Sequence, residues 1–238
     1  MSSPRESKPS DASVDDFEVQ PFTEACRRLL VRGEHALVGV SAGNSYFSQQ
    51  RIAQLLCWAQ RRFAAVDLLY VDLHLDTMYR ASGGGGGHAS ARASRAVRDV
   101  RRRIRRAVES VATGTVTGAG TVRVRALSQC VDLPGYQAVR QRIDREIAID
   151  SGIRRACEEH VRCLLGAQPD PDGARLRAGL AYLGAELPFL LSTPEVLGVS
   201  SSVSCYHTLL PVLSRLWEVT SCAHPGQGHV VVRPPEGN

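Results

Sequence analysis

The chain has 238 residues, 43% of them hydrophobic, which suits one domain with enough aliphatic side chains for a real core. The net charge is +5, carried almost wholly by arginine with Lys8 the only lysine, so the place of the charge matters more than its sum. Seven scattered cysteines without a C-x-x-C pair argue against a disulfide framework and against a zinc ribbon. A polar, charged N-terminus is no signal peptide and no apolar run spans a membrane, so a cytoplasmic protein with buried thiols is expected.

Residues 1–18, rich in Ser, Pro, Asp and Glu, read as a disordered leader before a single domain over 19–238. Phe22 to Arg32 is a short helix stopped by Gly33. His35 to Val40 is an apolar run with a β-branched end, hence a buried strand. Gly43 and Asn44 then turn the chain, and Ser45 or Ser48 caps the helix over 48–63. Ala65 to Val71 is a second buried strand, which makes a strand-helix-strand unit and implies a parallel sheet.

Residues 82–87, Ser followed by five glycines, lack the Lys-Ser/Thr of a phosphate loop and read as a flexible linker. Over 90–112, apolar residues at 97, 100, 104, 108 and 111 define one face of a helix. Arginines at 92, 95, 98, 101, 102, 103, 105 and 106 crowd the rest, with Asp99 the only acid before Glu109. Unpaired like charges repel unless an anion arrives, so this face points to phosphate binding. No aromatics interleave, so contact is with a nucleic-acid backbone and salt-dependent.

Thr121 to Leu127 is a third strand, followed by helices over 134–148, 150–165 and 174–187 with a loop at 169–173. On the last of these helices Tyr182 and Glu186 share a face at i, i+4. Val199 to Tyr206 is a strand ending in Cys-Tyr-His, a short helix covers 209–218, and His229 to Val232 is the last strand. The alternation predicts an α/β domain with a mostly parallel sheet flanked by helices.

Ser41 stands where a central strand ends and a helix is about to begin, the edge at which ligands bind in open α/β sheets. It is a candidate nucleophile, or a residue that merely helps the turn. Gly39-Val40-Ser41-Ala42-Gly43 fits the G-x-S-x-G elbow of α/β-hydrolases, but that fold needs several strands and an oxyanion loop before the elbow, and only one short helix and the strand itself precede it here.

The longer string from Gly39 to Ser48, GVSAGNSYFS, resembles the nucleophile segment of the cyclodipeptide synthases. Tyr182-Leu-Gly-Ala-Glu186-Leu-Pro-Phe is similar to that family's second motif, Cys205-Tyr206-His207 to its third, and the arginine-rich helix to its tRNA-binding helix. Asn44, Tyr206 and His207 resemble the signature of the larger of its two subfamilies. The resemblance implies a single Rossmann-like domain similar to the catalytic domain of class I tyrosyl- and tryptophanyl-tRNA synthetases. It implies two aminoacyl-tRNAs used in turn by a ping-pong mechanism. Ser41 is aminoacylated by the first, the second gives a dipeptidyl-enzyme, and internal attack by the free amine releases a cyclic dipeptide, a 2,5-diketopiperazine. Neither ATP, a metal nor another cofactor is implied, and a monomer is expected.

Carried over residue by residue, the resemblance makes Ser41, Asn44, Tyr182, Glu186, Tyr206 and His207 the catalytic set; the chemistry of the side chains is consistent with Glu186 holding the substrate ammonium and Tyr206 relaying a proton or steadying the carbonyl oxygen. It places tRNA contacts at Arg95, Arg98, Arg102, Arg103, Arg105 and Arg106. Leu37, Gly39 and Leu69 line the first aminoacyl pocket, small or aliphatic walls that hint at a modest apolar residue. The second pocket lies near the helix at 150–165, where Arg154, Arg155 and Arg162 either bind an acidic side chain or face solvent. The rival functions are a serine esterase, which needs a His and an Asp to complete a triad, and a non-catalytic RNA-binding protein, for which the arginine helix is the whole story.

Overall fold

The computed structural model of the chain describes residues 17–83, 86–113, 121–166 and 173–234. The order of elements is β1 (Glu18–Pro21), α1 (Glu24–Arg32), β2 (His35–Val40), α2 (Gln49–Arg62), β3 (Ala65–Tyr70), α3 (Leu75–Ala81) and α4 (Gly86–Thr113). There follow β4 (Val122–Ala126), α5 (Pro134–Ile149), α6 (Ser151–Leu165), α7 (Ala174–Leu197), β5 (Ser202–Tyr206), α8 (Pro211–Val219) and β6 (Gln227–Arg233). Local chemistry sets several ends. Thr23 caps α1, whose stop is Gly33 at φ 61°. Ser48 caps α2 by accepting a hydrogen bond from the Arg51 amide at 3.1 Å, and Asp150 caps α6.

The strands form one sheet in the order β1-β6-β5-β2-β3-β4. Neighbours run parallel except β1, which pairs antiparallel with β6. Strand periodicity sends alternate side chains to opposite faces. On β2, Ala36, Val38 and Val40 join Val66 and Leu68 of β3 in a core with Ile52 and Leu56 of α2 and Val100 and Ile104 of α4. Leu37 and Leu69 enter a second core built with α5, α6, α7 and α8 through Val139, Val161, Leu187 and Leu213. The Rossmann-like, mostly parallel sheet expected from the sequence is what forms.

Several boundaries differ from the sequence reading. Glu18, assigned to the leader, starts β1 and pairs with Arg233, while Phe17 packs on Trp58 with ring centroids 6.3 Å apart; residues 1–16 lie outside the described residues. The strand is short and ends in proline, which suits an edge and leaves little periodic signal. Helix α3 has no counterpart in the sequence reading, since Leu75 is its single buried residue. The glycine run is not a linker throughout, because Gly86 and Gly87 open α4. Helix α7 passes through Pro188 and breaks at Ser192 (φ −153°, ψ 47°), beyond the end expected at residue 187. There the Thr193 amide donates to Gln227 Oε1 at 2.8 Å, a side-chain partner in place of a helical one.

Candidate active site

The chain leaves β2 toward β3 on one side, and β5 later takes the place on the other. That makes the carboxyl ends of β2 and β5 a topological switch point, where a crevice opens in such sheets. Ser41 follows the last residue of β2 and Tyr206 is the last residue of β5. The register pairs Val38 with Cys205, so Gly39 falls beside Tyr206. A Cβ built on Gly39 would lie 3.5 Å from Cδ2 of the Tyr206 ring, so the ring packs directly over the glycine backbone. The hydroxyls of Ser41 and Tyr206 stand 2.9 Å apart in hydrogen-bond geometry.

The loop behind Ser41 is held from several sides. Gly43 takes φ +80°, the left-handed region that glycine enters without steric cost. Asn44 Oδ1 accepts from the Tyr46 amide at 2.9 Å, closing an Asx turn, and the Asn44 side chain also hydrogen-bonds Tyr206. Arg103 reaches in from α4 to donate to the Phe47 carbonyl at 2.6 Å and, more loosely, the Asn44 carbonyl at 3.5 Å. The His207 ring stacks on Tyr46 at 4.1 Å and 17°, and touches Phe47 and Tyr206. Its backbone carbonyl accepts from Arg233 Nε at 3.1 Å.

Helix α7 brings the remaining pair. Tyr182 and Glu186, one turn apart, line the same cavity as Ser41. The Tyr182 hydroxyl hydrogen-bonds the Glu186 carboxyl and interacts with the Ser41 hydroxyl. Burial pushes the Glu186 carboxyl up to about 7, partly opposed by the hydrogen bond from Tyr182. Burial, reinforced by the Glu186 charge, pushes the Tyr182 phenol well above its ordinary value, and burial raises that of Tyr206. Both phenols are therefore neutral at neutral pH, while Glu186 is the group poised to exchange a proton there.

The cavity measures about 380 Å³. Leu37, Gly39 and Leu69, named from the sequence, all line it. So do Phe189, Leu213, His160 and His229, which sequence reasoning missed. They come from elements far apart in the chain and sit among apolar neighbours, so no local pattern marks them. Arg154, Arg155 and Arg162 do not line the cavity. The first two are exposed and donate to backbone carbonyls of Ile147, Ala148 and Ser151, and the third pairs with Glu158 at 2.9 Å. An acid-binding role for them at the second pocket is thus not what the fold provides.

The arginines of α4 divide by environment. Arg95, Arg98 and Arg106 are exposed with no ion pair among the described residues. Arg102 pairs with Asp99 at 2.5 Å, and Arg105 lies 3.8 Å from Glu109. Arg101 turns back to the Tyr70 hydroxyl at 2.7 Å and to Asp72. Arg103, with 20% of its side chain exposed, shares Asp99 at 2.9 Å and braces the Ser41 loop. The expectation that these charges are unpaired along the helix therefore fails for Arg101, Arg102, Arg103 and Arg105, because Asp99, Glu109 and neighbouring segments supply partners. Arg103 in particular turns inward rather than outward.

No histidine hydrogen-bonds Ser41 among the described residues, which removes the base that a serine-hydrolase triad requires. A Ser-His-Asp series does exist at the opposite end of β2. His35 Nδ1 lies 2.8 Å from Ser202 Oγ, and its Nε2 lies 2.9 Å from Asp67. All three residues are buried, and Arg123 and Arg125 complete the shell of Asp67 at 2.8 Å each. This is a satisfied core network closed to substrate.

No metal-binding cluster of His, Cys, Asp and Glu occurs among the described residues, and no helix there is long and apolar enough to cross a membrane. The family model for cyclodipeptide synthases matches residues 17–234. The chain is 45% identical over 218 residues to the cyclo(L-leucyl-L-phenylalanyl) synthase of Streptomyces noursei, covering 88% of this chain and 89% of that protein. It is 34% identical over 232 residues to the cyclo(L-tyrosyl-L-tyrosyl) synthase of Mycobacterium tuberculosis, covering 95% and 79%. A crystal structure of a cyclo(L-leucyl-L-phenylalanyl) synthase superposes with a TM-score of 0.82 at 41% identity, over 92% of this chain and 98% of that one. A Mycobacterium tuberculosis structure, described as demonstrating that cyclodipeptide synthetases are related to type I tRNA synthetases, gives 0.83 at 34% identity over 92% and 94%. With the family model spanning the whole described fold and relatives of this similarity, the chain belongs to the cyclodipeptide synthase family of enzymes.

Proposed function

We propose that this enzyme joins two amino acids drawn from aminoacyl-tRNAs into a cyclic dipeptide through an aminoacyl-enzyme on Ser41. The observation that carries the reading is the convergence of Ser41, Tyr206, Tyr182 and Glu186 on one cavity at the switch point of the sheet. Ser41 Oγ attacks the ester carbonyl of the first aminoacyl-tRNA. The bond to the ribose oxygen breaks, and the tRNA hydroxyl leaves with the proton. An aminoacyl ester is already activated, so a strong base on Ser41 is unnecessary. Tyr206, neutral and 2.9 Å away, passes the proton and steadies the oxyanion.

Glu186 then faces the ammonium of the bound aminoacyl group. With its carboxyl near 7 it takes a proton from that ammonium, and the freed amine attacks the ester carbonyl of the second aminoacyl-tRNA, whose ribose oxygen leaves and takes up a proton. The resulting dipeptidyl ester on Ser41 is released when the terminal amine attacks the ester carbonyl and closes the six-membered ring. Tyr182 holds Glu186 and the serine in one hydrogen-bonded line. Asn44 and His207 fix the loop and the Tyr206 ring rather than react. The tRNA is held on the outer face of α4 by Arg95, Arg98 and Arg106, with Arg102 and Arg105 at its margin. Arg102 and Arg105 retain exposed side chains despite their acidic partners. Mass spectrometry of culture medium from bacteria expressing the chain tests this reading. A new diketopiperazine is expected with the native chain and none with Ser41→Ala; equal product from both would refute it.

A further inference from the structure

Helix α3 carries an aromatic ring that the proposed reaction does not use. After β3 the chain turns at His74, whose φ of 61° lies in the left-handed region that a histidine seldom enters. Asp72, two residues earlier, accepts from the Ser128 amide at 2.9 Å and from its hydroxyl at 2.7 Å. Helix α3 then packs against both α4 and α7, so it lies between the arginine-rich helix and the helix of Tyr182 and Glu186. Tyr79 reaches from it to the nucleophile loop. A Cβ built on Gly43, two residues past Ser41, would lie 3.3 Å from the Tyr79 hydroxyl oxygen. Over the Tyr79 ring sits the guanidinium of Arg92 from α4, 4.3 Å from the centroid.

Helical geometry separates Arg92 from the arginines expected to hold tRNA. Residues 92, 96, 99 and 103 recur at i, i+4, i+7 and i+11 and so share one stripe of α4. Ala96, Asp99 and Arg103 on that stripe are half-buried, and Arg103 braces the loop at Asn44 and Phe47. Arg95, Arg98, Arg102, Arg105 and Arg106 fall to one side of the stripe and are exposed. Arg92 is thus the exposed end of the inner stripe, and Tyr79 holds it on the side of the Ser41 loop. The acids of α3 and of this stripe are engaged elsewhere: Asp76 pairs with Arg80 at 2.8 Å, and Asp99 with Arg102 and Arg103. A cation–π contact fixes a guanidinium without consuming its N–H donors, which stay suited to a phosphate.

An aminoacyl group that reaches Ser41 arrives on the terminal ribose of its tRNA, so that ribose stands at this rim. The first charge outward from the ester is the phosphate joining the last two nucleotides. We propose that Arg92, seated on Tyr79, binds that phosphate and so sets the ester over Ser41, with Tyr79 a positioning residue that acts through Arg92. This rests on the reading that aminoacyl-tRNAs are the substrates.

The test uses the full chain and whichever of the twenty aminoacyl-tRNAs acylates Ser41 fastest. That tRNA is prepared with either the natural phosphate or an uncharged methylphosphonate between its last two nucleotides. Single-turnover acylation at saturating tRNA is read by intact-protein mass. The neutral linkage is expected to slow the native chain by roughly tenfold or more. Arg92→Gln should be slowed to the same degree with the natural tRNA and no further by the neutral linkage, because the two changes remove one contact. Tyr79→Leu should behave like Arg92→Gln, and Tyr79→Phe, which keeps the ring under the guanidinium, like the native chain. Arg95→Gln, outside the stripe, should show the full linkage effect. The two linkages are compared within each variant, so a loss of folded protein does not mimic the result. A native chain indifferent to the linkage, or an Arg92→Gln variant still slowed tenfold by it, overturns the role of Arg92 while Ser41 acylation stands. Absence of acylation with all twenty natural aminoacyl-tRNAs overturns the underlying reaction, and the role of Arg92 with it.

Discussion

The hydroxyls of Ser41 and Tyr206 meet at 2.9 Å although 165 residues separate them in the chain. The register of two parallel strands makes the meeting possible, with Val38 opposite Cys205 and Gly39 under the tyrosine ring. Tyr206→Phe keeps the ring and removes only the hydroxyl. Acylation of Ser41 is expected to slow by roughly 10²-fold, with tRNA affinity unchanged, in single-turnover assays. Unaltered acylation would assign the hydroxyl a purely structural role.

Glu186 couples activity and stability to pH in opposite senses. Its carboxyl is raised in the folded protein to about 7, so the fold favours the protonated form. That contribution is fully present below the ordinary carboxyl range and is lost as pH rises through about 7. Glu186→Gln is therefore expected to stabilise the protein at pH 8 by roughly 1–3 kcal/mol in denaturant titrations. The same change should lower product formation by about 10²-fold or more. In the native enzyme kcat/KM should rise with pH through a midpoint near 7, where the carboxylate forms. A flat profile, or a variant no more stable than the native chain at pH 8, would speak against a raised Glu186.

The arginines of α4 should separate into two kinds by kinetics. Arg95, Arg98 and Arg106 are exposed and without an ion pair among the described residues. Replacing each by glutamine should weaken tRNA binding and reduce the salt dependence of binding by about one unit of slope. Arg103 bonds the Phe47 carbonyl at 2.6 Å and is mostly buried, so it acts through the position of the Ser41 loop. Arg103→Met should lower kcat by roughly 10²-fold, with the salt slope of tRNA binding kept. A fall in that slope equal to that of the exposed arginines would instead make Arg103 a phosphate contact.

Much of this was legible in the sequence, for physical reasons that differ by element. The β2 and α2 boundaries follow from a pure apolar run and a serine cap, signals that need no tertiary context. Tyr182 and Glu186 stand out because helical spacing alone places them on one face. The cavity wall is different, because His160 and Phe189 reach it from helices whose placement depends on packing. The sequence reading ends α7 at residue 187, whereas the helix runs on through Pro188, a residue that normally disfavours a helix interior, and bends at Ser192. The α4 arginines divide in the same way: the pairs of Arg102 and Arg103 with Asp99 and of Arg105 with Glu109 are one helical turn apart and legible from spacing, whereas the remaining partners are not. Asp72 and the Phe47 carbonyl are distant in sequence, so the inward turns of Arg101 and Arg103 are invisible from the helix alone.

Asp67 anchors the sheet at the end away from the site. Its side chain is fully buried and is held by His35 at 2.9 Å and by Arg123 and Arg125 at 2.8 Å each. Removing one partner of such a network leaves the others uncompensated. Asp67→Ala is expected to cost about 3–5 kcal/mol in chemical denaturation. Ser202→Ala removes only one neutral partner of His35 and should cost about 1 kcal/mol without loss of product. Loss of product in a folded Ser202→Ala protein would point to a catalytic use of this network.

The most direct measurement is intact-protein and peptide mass spectrometry of the chain mixed briefly with one aminoacyl-tRNA. A mass gain of one aminoacyl group is expected, mapped to Ser41 and absent from Ser41→Ala, which should also form no cyclic dipeptide. Cyclic dipeptide made by Ser41→Ala at the native rate, or an acyl group carried on another residue, would contradict covalent catalysis through Ser41.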